Sequence, residues 1–229
     1  MAKLMVIAGY GTGISSAVAE RFGREGFTLA LVARNAERLA AGVKALGGKG
    51  IQAEAFPTDL ADPAAVRALF GRIRAKLGPV TVLHWNAYQG GAGDLTTVET
   101  AELKAIFDVP VVSLITAIQA ALPDLGTQKE AAVLITNGGL GLFDPAVDQL
   151  TVDWGAMGLG VANAAKHKAA RLLALKLGPQ GIYVGELMVL HPVKGTPWDS
   201  GNATLEASAI ADRFWAMYHE RGPSSARIG

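Results

Sequence analysis

The chain has 229 residues, of which half are hydrophobic and 18% are charged, and its formal net charge is +1. This composition is typical of a globular protein with a sizeable core and excludes a disordered chain. No long basic block indicates a nucleic-acid partner, and the absence of cysteine excludes disulfides and thiolate metal sites and fits a reducing, cytoplasmic location.

Two apolar segments could be targeting or membrane signals, but neither has the expected pattern. The N-terminus carries one lysine and a strand-length apolar run, which is not the pattern of a signal peptide. The longest apolar region, residues 109–122, is interrupted by polar residues and followed by Pro123. We therefore predict a buried helix there and no membrane span.

Strands and helices alternate along the first half of the chain. Apolar runs predict buried parallel strands at residues 4–8, 27–33, 51–56 and 80–85. Between these strands, apolar residues recur at helical spacing after residue 13, after Asn35 and after Asp62. Asn35 and Asp62 are suited to cap the second and third of these helices, and Pro63 fits the first helical position.

The second half continues the pattern. It contains predicted helices near residues 101–122, 163–177 and 205–219 and predicted strands at residues 131–136 and 182–190. We expect the tail at residues 222–229 to be loose, although residues 226–228 could add a short edge strand. The alternation predicts one α/β domain over residues 1–229, a Rossmann-type doubly wound parallel sheet of six to seven strands with helices on both faces.

The segment between the first strand and the first helix is rich in glycine. Gly9, Gly11 and Gly13 would let the backbone turn tightly and approach a pyrophosphate, which the free N–H groups of the helix N-terminus would bind. The hydroxyls of Thr12, Ser15 and Ser16 are further candidate donors. The alternative is a purely structural glycine-rich turn.

The end of the second predicted strand indicates which nucleotide would bind. An acidic residue there would hold a ribose 2′-hydroxyl, but this chain has Arg34 followed by Asn35. A guanidinium suits a 2′-phosphate by charge and by its fork of donors, so NADP(H) is favoured over NAD(H). The alternative is that Arg34 is a solvated residue at the start of a helix.

These segments resemble motifs of the short-chain dehydrogenase/reductase family. Residues 9–14 are similar to its glycine motif G-x-x-x-G-I-G, with Ser15 in the place of the last glycine. Residues 58–60 are similar to the D-[LV] pair after the third strand, and residues 85–88 stand where the family has N-N-A-G. The ends of the fifth and sixth helices, at residues 121–123 and 177–182, match as well, so the resemblance covers nearly the whole chain.

The resemblance implies a set of cofactor-binding residues, with Asp59 against the adenine. This predicted set is Gly9, Gly11, Thr12, Gly13, Ile14, Arg34, Asn35, Asp59, Leu60, Asn86 and Ala87. For Asp59 the alternative is a turn acid ahead of Asp62, and for Asn86 it is a satisfied loop amide.

The resemblance fails at the positions that carry the family's chemistry. The family uses a tyrosine in Y-x-x-x-K as proton donor, with a serine and an asparagine. Counting from the matched segments places Leu159 at the tyrosine, Asn163 at the lysine, Pro110 at the asparagine and Gly138 or Asn137 at the serine. No Y-x-x-x-K occurs anywhere in the sequence, so the catalytic residues stay unknown.

Three residues are candidate replacements near the nicotinamide side. Tyr88 follows the fourth strand, His191 follows the sixth, and Asn137 could hydrogen-bond a carbonyl without giving up a proton. Trp154 and Trp198 could line an apolar pocket. Their alternatives are loop packing for the aromatics, an exposed histidine and a backbone-capping asparagine.

We predict structural positions for two histidines and a mobile segment after the sixth strand. We expect His84 to be a satisfied core histidine, and His167, beside Lys166 and Lys168, to lie on a solvated or subunit-facing helix surface. Residues 191–205 contain prolines and glycines typical of a mobile lid.

The sequence therefore leaves two functions open. One is an NADP(H)-dependent oxidoreductase with a degenerate active site, which transfers hydride to or from a small, apolar carbonyl or activated alkene. The other is a catalytically silent NADP(H)-binding sensor or partner protein. Residues 107–122 and 163–177 resemble the family's dimer helices, which implies a homodimer or homotetramer.

Overall fold

A seven-stranded sheet forms the centre of the computed structural model, which describes residues 3–229. Its strands are β1 (Leu4–Ala8), β2 (Thr28–Ala33), β3 (Ala53–Pro57), β4 (Val82–Trp85), β5 (Ala132–Gly138), β6 (Tyr183–Val189) and β7 (Ser225–Ile228). All neighbouring strands pair in parallel, in the order β3-β2-β1-β4-β5-β6-β7. The predicted doubly wound parallel sheet is therefore confirmed.

Helices cover both faces of the sheet. They are α1 (Ile14–Arg24), α2 (Ala36–Gly47), α3 (Pro63–Leu77), α4 (Thr100–Phe107), α5 (Leu114–Leu125), α6 (Pro145–Asp153), α7 (Met157–Leu177) and α8 (Ala207–Glu220). One core cluster joins α3, α5 and α7 to the sheet, and a second joins α1, α2 and α8 to its other face. Alternate side chains of each strand pack into the two clusters, so the strands are apolar on both faces.

Two predicted helix starts are confirmed by their caps. The Asn35 side chain accepts a hydrogen bond from the Arg38 N–H at 2.7 Å, and Asp62 accepts one from Ala64 at 2.8 Å. Pro63 occupies the first position of α3, where its missing N–H costs nothing.

The region predicted as one helix near residues 101–122 is interrupted. A π-helical turn, Asp108–Ser113, separates α4 from α5. Pro110 lies inside this turn and has no N–H to continue an α-helical ladder, which accounts for the irregularity.

Helix α7 begins six residues before the predicted start, and α6 was not predicted at all. Gly158 and Gly160 lower the helix propensity of this stretch. The structure shows why glycine is present, since a Cβ on Gly158 would lie 2.5 Å from the Cβ of Ala92. Close packing therefore decides the local structure against propensity.

The C-terminal tail is not loose as expected. The Glu186 N–H donates to the Ser224 carbonyl at 2.8 Å, and the Leu190 N–H donates to the Ile228 carbonyl at 2.9 Å. These bonds dock β7 on β6, so the alternative of a short edge strand is correct.

One helical stretch, Thr100–Leu125, is long and apolar enough by composition alone to cross a membrane. Half of its most apolar window is buried inside the domain, and Leu114, Ala117 and Ile118 belong to the core. The stretch thus has the properties of a core helix of this fold.

Candidate cofactor and active site

The predicted cofactor residues follow four neighbouring strands. Strand β1 pairs with β2 on one side and β4 on the other, which makes its carboxyl end the switch point of the sheet. The glycine loop, Arg34, Asp59 and Asn86 follow β1, β2, β3 and β4, respectively. Parallel strands end at the same edge, and ligands of doubly wound folds bind in the crevice at this point.

The glycine loop packs as a cradle would require. Gly9 has φ +85°, and a Cβ on it would lie 2.6 Å from the backbone N of Ala87. Gly13 has φ +92°, and a Cβ on it would lie 2.8 Å from Cγ2 of Thr196. A Cβ on Gly11, by contrast, would meet no atom of residues 3–229 within 4 Å.

Helix α1 starts directly after this loop, at Ile14. The N-cap residue, Gly13, offers no side chain to cap the first N–H groups. Uncapped N–H groups and the positive end of the helix dipole favour an anion. The open surface at Gly11 and the free helix end therefore fit a diphosphate.

The serines of the loop have a different role from the one expected. Ser15 Oγ accepts a hydrogen bond from the Gly11 N–H at 2.9 Å and donates to the Gly11 carbonyl at 3.2 Å. Ser16 Oγ donates to the Gly13 carbonyl at 2.8 Å. Both hydroxyls brace the loop, whereas Thr12 is exposed.

Arg34 and Asn35 lie at the end of β2. Arg34 is exposed and forms no ion pair or hydrogen bond with the residues that the structure describes, so its guanidinium is free for a ligand. The Asn35 side chain is used as the cap of α2.

The segments after β3 and β4 flank the same crevice. Asp59 is exposed and accepts a hydrogen bond from the Ala61 N–H at 3.0 Å, and Leu60 is buried in the core. The Asn86 amide donates to the Gly9 carbonyl at 3.4 Å, and Ala87 packs on Gly9. The alternative roles, a turn acid for Asp59 and a loop amide for Asn86, are therefore both present as hydrogen bonds. Each side chain keeps other atoms accessible.

Thr196 was not among the predicted site residues. It follows β6 and touches the position of a Gly13 side chain, so it closes the crevice opposite the glycine loop. Its hydroxyl donates to the Val193 carbonyl at 2.7 Å. No sequence motif singled it out, because the contact depends on how the chain folds back after β6.

The positions that carry the family's chemistry also meet. Asn163 is buried on α7, and a Cβ on Gly138 at the end of β5 would lie 2.7 Å from its amide nitrogen. Leu159 is one helical turn earlier, and Pro110 is buried in the π-helical turn. The scaffold is thus assembled, but Leu159, Pro110 and Gly138 have no group to donate a proton.

Asn137 cannot serve a substrate as expected. Its amide nitrogen donates to the Asn163 carbonyl at 3.0 Å and to Glu186 Oε1 at 2.7 Å, and its oxygen accepts from the Gly138 N–H at 3.0 Å. Since both ends of the amide are engaged and the side chain is buried, Asn137 is a structural residue.

The other two candidate donors are at the surface. Tyr88 is half exposed and its hydroxyl accepts a hydrogen bond from Trp198 Nε1 at 3.3 Å. His191 is exposed, beside Gly229. The Tyr88–Trp198 contact joins the loop after β4 to the segment after β6 across the crevice.

The segment predicted as a mobile lid is braced from within. The Asp199 carboxylate accepts hydrogen bonds from the N–H groups of Gly195, Gly201 and Ala203 at 2.7 to 3.0 Å. These backbone donors hold the pKa of Asp199 below its usual range. The segment therefore has a defined conformation.

His84 is only half satisfied. Its Nε2 lies 3.1 Å from Thr136 Oγ1, but its buried Nδ1 has no partner among residues 3–229. Burial lowers the pKa of His84 to about 3, so it is neutral at physiological pH and cannot donate a proton there.

His167 and Lys166 differ most from expectation. His167 is largely buried, and its Nδ1 lies 2.5 Å from Oε2 of Glu186, a carboxylate with no exposed surface. Lys166 is 2% exposed. Burial lowers the pKa of Lys166 to about 8, an effect that the charge of Glu186 opposes.

The sequence contains a signal for this cluster. Glu186 is a single acid within an apolar strand, where a buried charge requires partners. Asn137, His167 and Ser225 supply those partners.

An apolar cavity of about 220 Å³ lies beside this region, between α6, α7 and the segment after β5. Leu142, Val152, Met157 and Val161 are among its lining residues. Neither Trp154 nor Trp198 is among the residues that line this cavity.

Comparisons with known proteins agree with this geometry. The family described as short chain dehydrogenase matches residues 3–188. An oxidoreductase of Sarocladium schorii, asL5, is 29% identical over 221 residues, which are 96% of this chain and 81% of that protein.

Two solved structures are also similar. A short-chain dehydrogenase from Burkholderia cenocepacia in complex with NADP is 26% identical, with a TM-score of 0.84 over 99% of this chain and 96% of that one. A mutant short-chain dehydrogenase/reductase from Serratia marcescens has a TM-score of 0.87 at 20% identity, over 99% of this chain and 96% of that one.

Proposed function

Because this chain belongs to the short-chain dehydrogenase family, we propose that it is an oxidoreductase that binds NADP(H). It transfers hydride to or from a small carbonyl compound or activated alkene. The observation that carries the proposal is the open glycine cradle at Gly11, framed by close contacts at Gly9 and Gly13. The similar Burkholderia protein, whose structure contains NADP, supports it.

The cofactor would contact the predicted set of residues. The uncapped start of α1 would bind the diphosphate, Arg34 the 2′-phosphate, and Asp59 and Leu60 the adenine. Asn86 and Ala87 would lie beside the bound nucleotide, and Asn35 would orient Arg34 by capping α2. The charge of Arg34 is the reason to prefer NADPH over NADH.

The reacting side uses fewer protein groups than is usual in this family. When bound, the nicotinamide supplies the hydride. The chain orients the two reactants and keeps water away, and hydride transfer depends strongly on such positioning. Asn163 is buried at the edge of this region, and its side-chain amide has no hydrogen-bond partner among residues 3–229, so it is available to a hydroxyl of the nucleotide.

A second function is favoured by one specific observation. Leu159, Pro110 and Gly138 lack a polar side chain, and the amide of Asn137 is already engaged. A protein with this site could bind NADP(H) without turnover and act as a sensor or a partner subunit.

One experiment separates the two functions. NADPH binding is measured by cofactor fluorescence, and NADPH oxidation is then followed over a panel of aldehydes, ketones and enones. Binding with turnover of at least one substrate is the expected result. Binding without turnover of any substrate would favour the silent protein, and no binding would reject both.

The cellular setting is part of the proposal. The cysteine-free sequence suits a reducing cytoplasm, and the site suits a small-molecule substrate. The apolar side chains near the crevice favour an apolar substrate.

A further inference from the structure

Lys166 has an unusual environment for a lysine. It lies on the inner face of α7, is 2% exposed, and has no hydrogen bond or ion pair to any residue that the structure describes. Burying an ammonium without a partner costs free energy, and fully buried lysines are rare unless they are paired.

The amine still reaches accessible space. The fully enclosed polar atoms without a partner in residues 3–229 are His84 Nδ1, Trp85 Nε1 and Ser113 Oγ, and the Lys166 amine is not one of them. Side chains of a helix lean towards its N-terminus, so Lys166 extends towards the turn that holds Asn163. That turn packs on Gly138 at the carboxyl edge of the sheet, where the crevice lies.

Glu186 provides the charge next to this amine. The two groups are more than 4 Å apart, since no salt bridge joins them, yet the carboxylate raises the pKa of Lys166. The Glu186 oxygens are held by Asn137, His167 and Ser225. His167 retains 23% of its side-chain surface exposed, so the cluster extends from the protein surface to the interior.

We propose that Lys166 is a proton-exchanging group that faces the cofactor cleft. In reduction, the substrate carbon gains hydride and the electron pair of the C=O bond moves to oxygen. The oxygen takes the N–H proton of the Lys166 ammonium, directly or through one water molecule. The neutral amine then regains a proton from bulk water.

This inference rests on the proposed binding of NADP(H), and its first test does not require turnover. The full chain is labelled with ¹³C at lysine Cε, and the Lys166 signal is assigned by its loss in Lys166→Met. We expect Lys166 to titrate near pH 8 in the free protein. Saturating NADPH should raise the pKa of Lys166 by more than about half a unit, because the negative charge of the cofactor stabilises the nearby ammonium.

One variant provides a comparison within this titration. Glu186→Gln should lower the pKa of Lys166, because the carboxylate that raises it is removed. A Lys166 signal that titrates near 10.5, or that does not respond to bound NADPH, overturns the inference.

The second test uses whichever substrate the NADPH-oxidation panel yields. Lys166→Met should lower kcat about 100-fold while NADPH affinity stays within about twofold, because the proton is lost but the cradle is not. Lys166→Arg should not restore the rate, since a guanidinium does not release a proton near neutral pH. Lys168→Met, at an exposed position two residues away, should behave as wild type.

The two proposals fail in different ways. If NADPH does not change in fluorescence on mixing, the proposed function is wrong. If NADPH binds and is oxidised while Lys166→Met turns over at the wild-type rate, the role of Lys166 is wrong and the proposed function stands. Circular dichroism of each variant confirms that it is folded.

Discussion

At the residue scale, Gly13 and Gly11 separate the folding of the glycine loop from its binding. A side chain at Gly13 would adopt φ +92° and collide with Thr196, whereas one at Gly11 meets open space. We expect Gly13→Ala to lower the free energy of unfolding by about 1 to 3 kcal/mol, from backbone strain and the collision.

The matched variant Gly11→Ala should change the free energy of unfolding by less than about 0.5 kcal/mol, since it meets no neighbour. It should nevertheless weaken the binding of NADPH, because its methyl group occupies the open space at residue 11 where the diphosphate is expected. Urea unfolding and NADPH titration of the two variants check this. Equal losses of stability would show that the loop packs differently, and unchanged NADPH affinity in Gly11→Ala would contradict the cradle.

Arg34 tests the choice of nucleotide. Its free, exposed guanidinium is expected to bind the 2′-phosphate, a charge-assisted contact worth about 1.5 to 3 kcal/mol. Arg34→Asp should therefore weaken NADPH by at least about 10-fold and leave NADH unchanged or slightly tighter. Arg67→Asp, at an exposed position of α3, is the control for net charge. A similar small effect of Arg34→Asp on both nucleotides would remove Arg34 from the site.

At the scale of elements, the sequence predicted most of what its patterns encode directly. Buried strands and the caps at Asn35 and Asp62 depend on local signals that the structure confirms. The start of α7 and the π-helical turn depend on contacts such as Gly158 against Ala92, which are distant in sequence. His167 and Lys166 were placed on a surface because helical charges usually are, but the face that α7 buries is set by its packing on β5 and β6.

Burial of Lys166 in α7 also predicts how stability depends on pH. Its pKa is lowered from 10.5 to about 8 in the folded state, so between these values the unfolded chain binds more protons. The free energy of unfolding should therefore rise with pH across this window, by up to about 3 kcal/mol. Below pH 8 the ammonium is present in both states and its burial carries the full cost.

Lys166→Met removes this dependence. The variant should be more stable than wild type at pH 7 and lose that advantage as pH approaches 10.5. Urea unfolding at several pH values, with Lys168→Met as the exposed control, measures both effects. Parallel pH profiles of wild type and Lys166→Met would show that the amine is not buried in solution.

At the scale of the whole molecule, fold and activity are separate questions. Nearly the whole chain superimposes on short-chain dehydrogenases. Counting along the sequence predicts Leu159 and Asn163 at the positions where the family has its acid and its cation. A fold-level likeness therefore supports the cofactor, while the proposed reaction is argued from particular side chains such as Lys166.

The outer face of the molecule predicts its assembly. Val161, Leu172 and Leu175 on α7 and Val112 in the π-helical turn before α5 are exposed, Leu175 by 77%. These are the helices that resemble the dimer helices of the family, and an apolar helix face of this kind is stabilised by a partner.

We expect a homodimer or homotetramer at micromolar concentration. Leu175→Glu should shift it towards monomer by placing a charge in the interface, as measured by light scattering, whereas Ala45→Glu on exposed α2 should not. A wild-type monomer, or an unchanged mass for Leu175→Glu, would show that this face is not the interface.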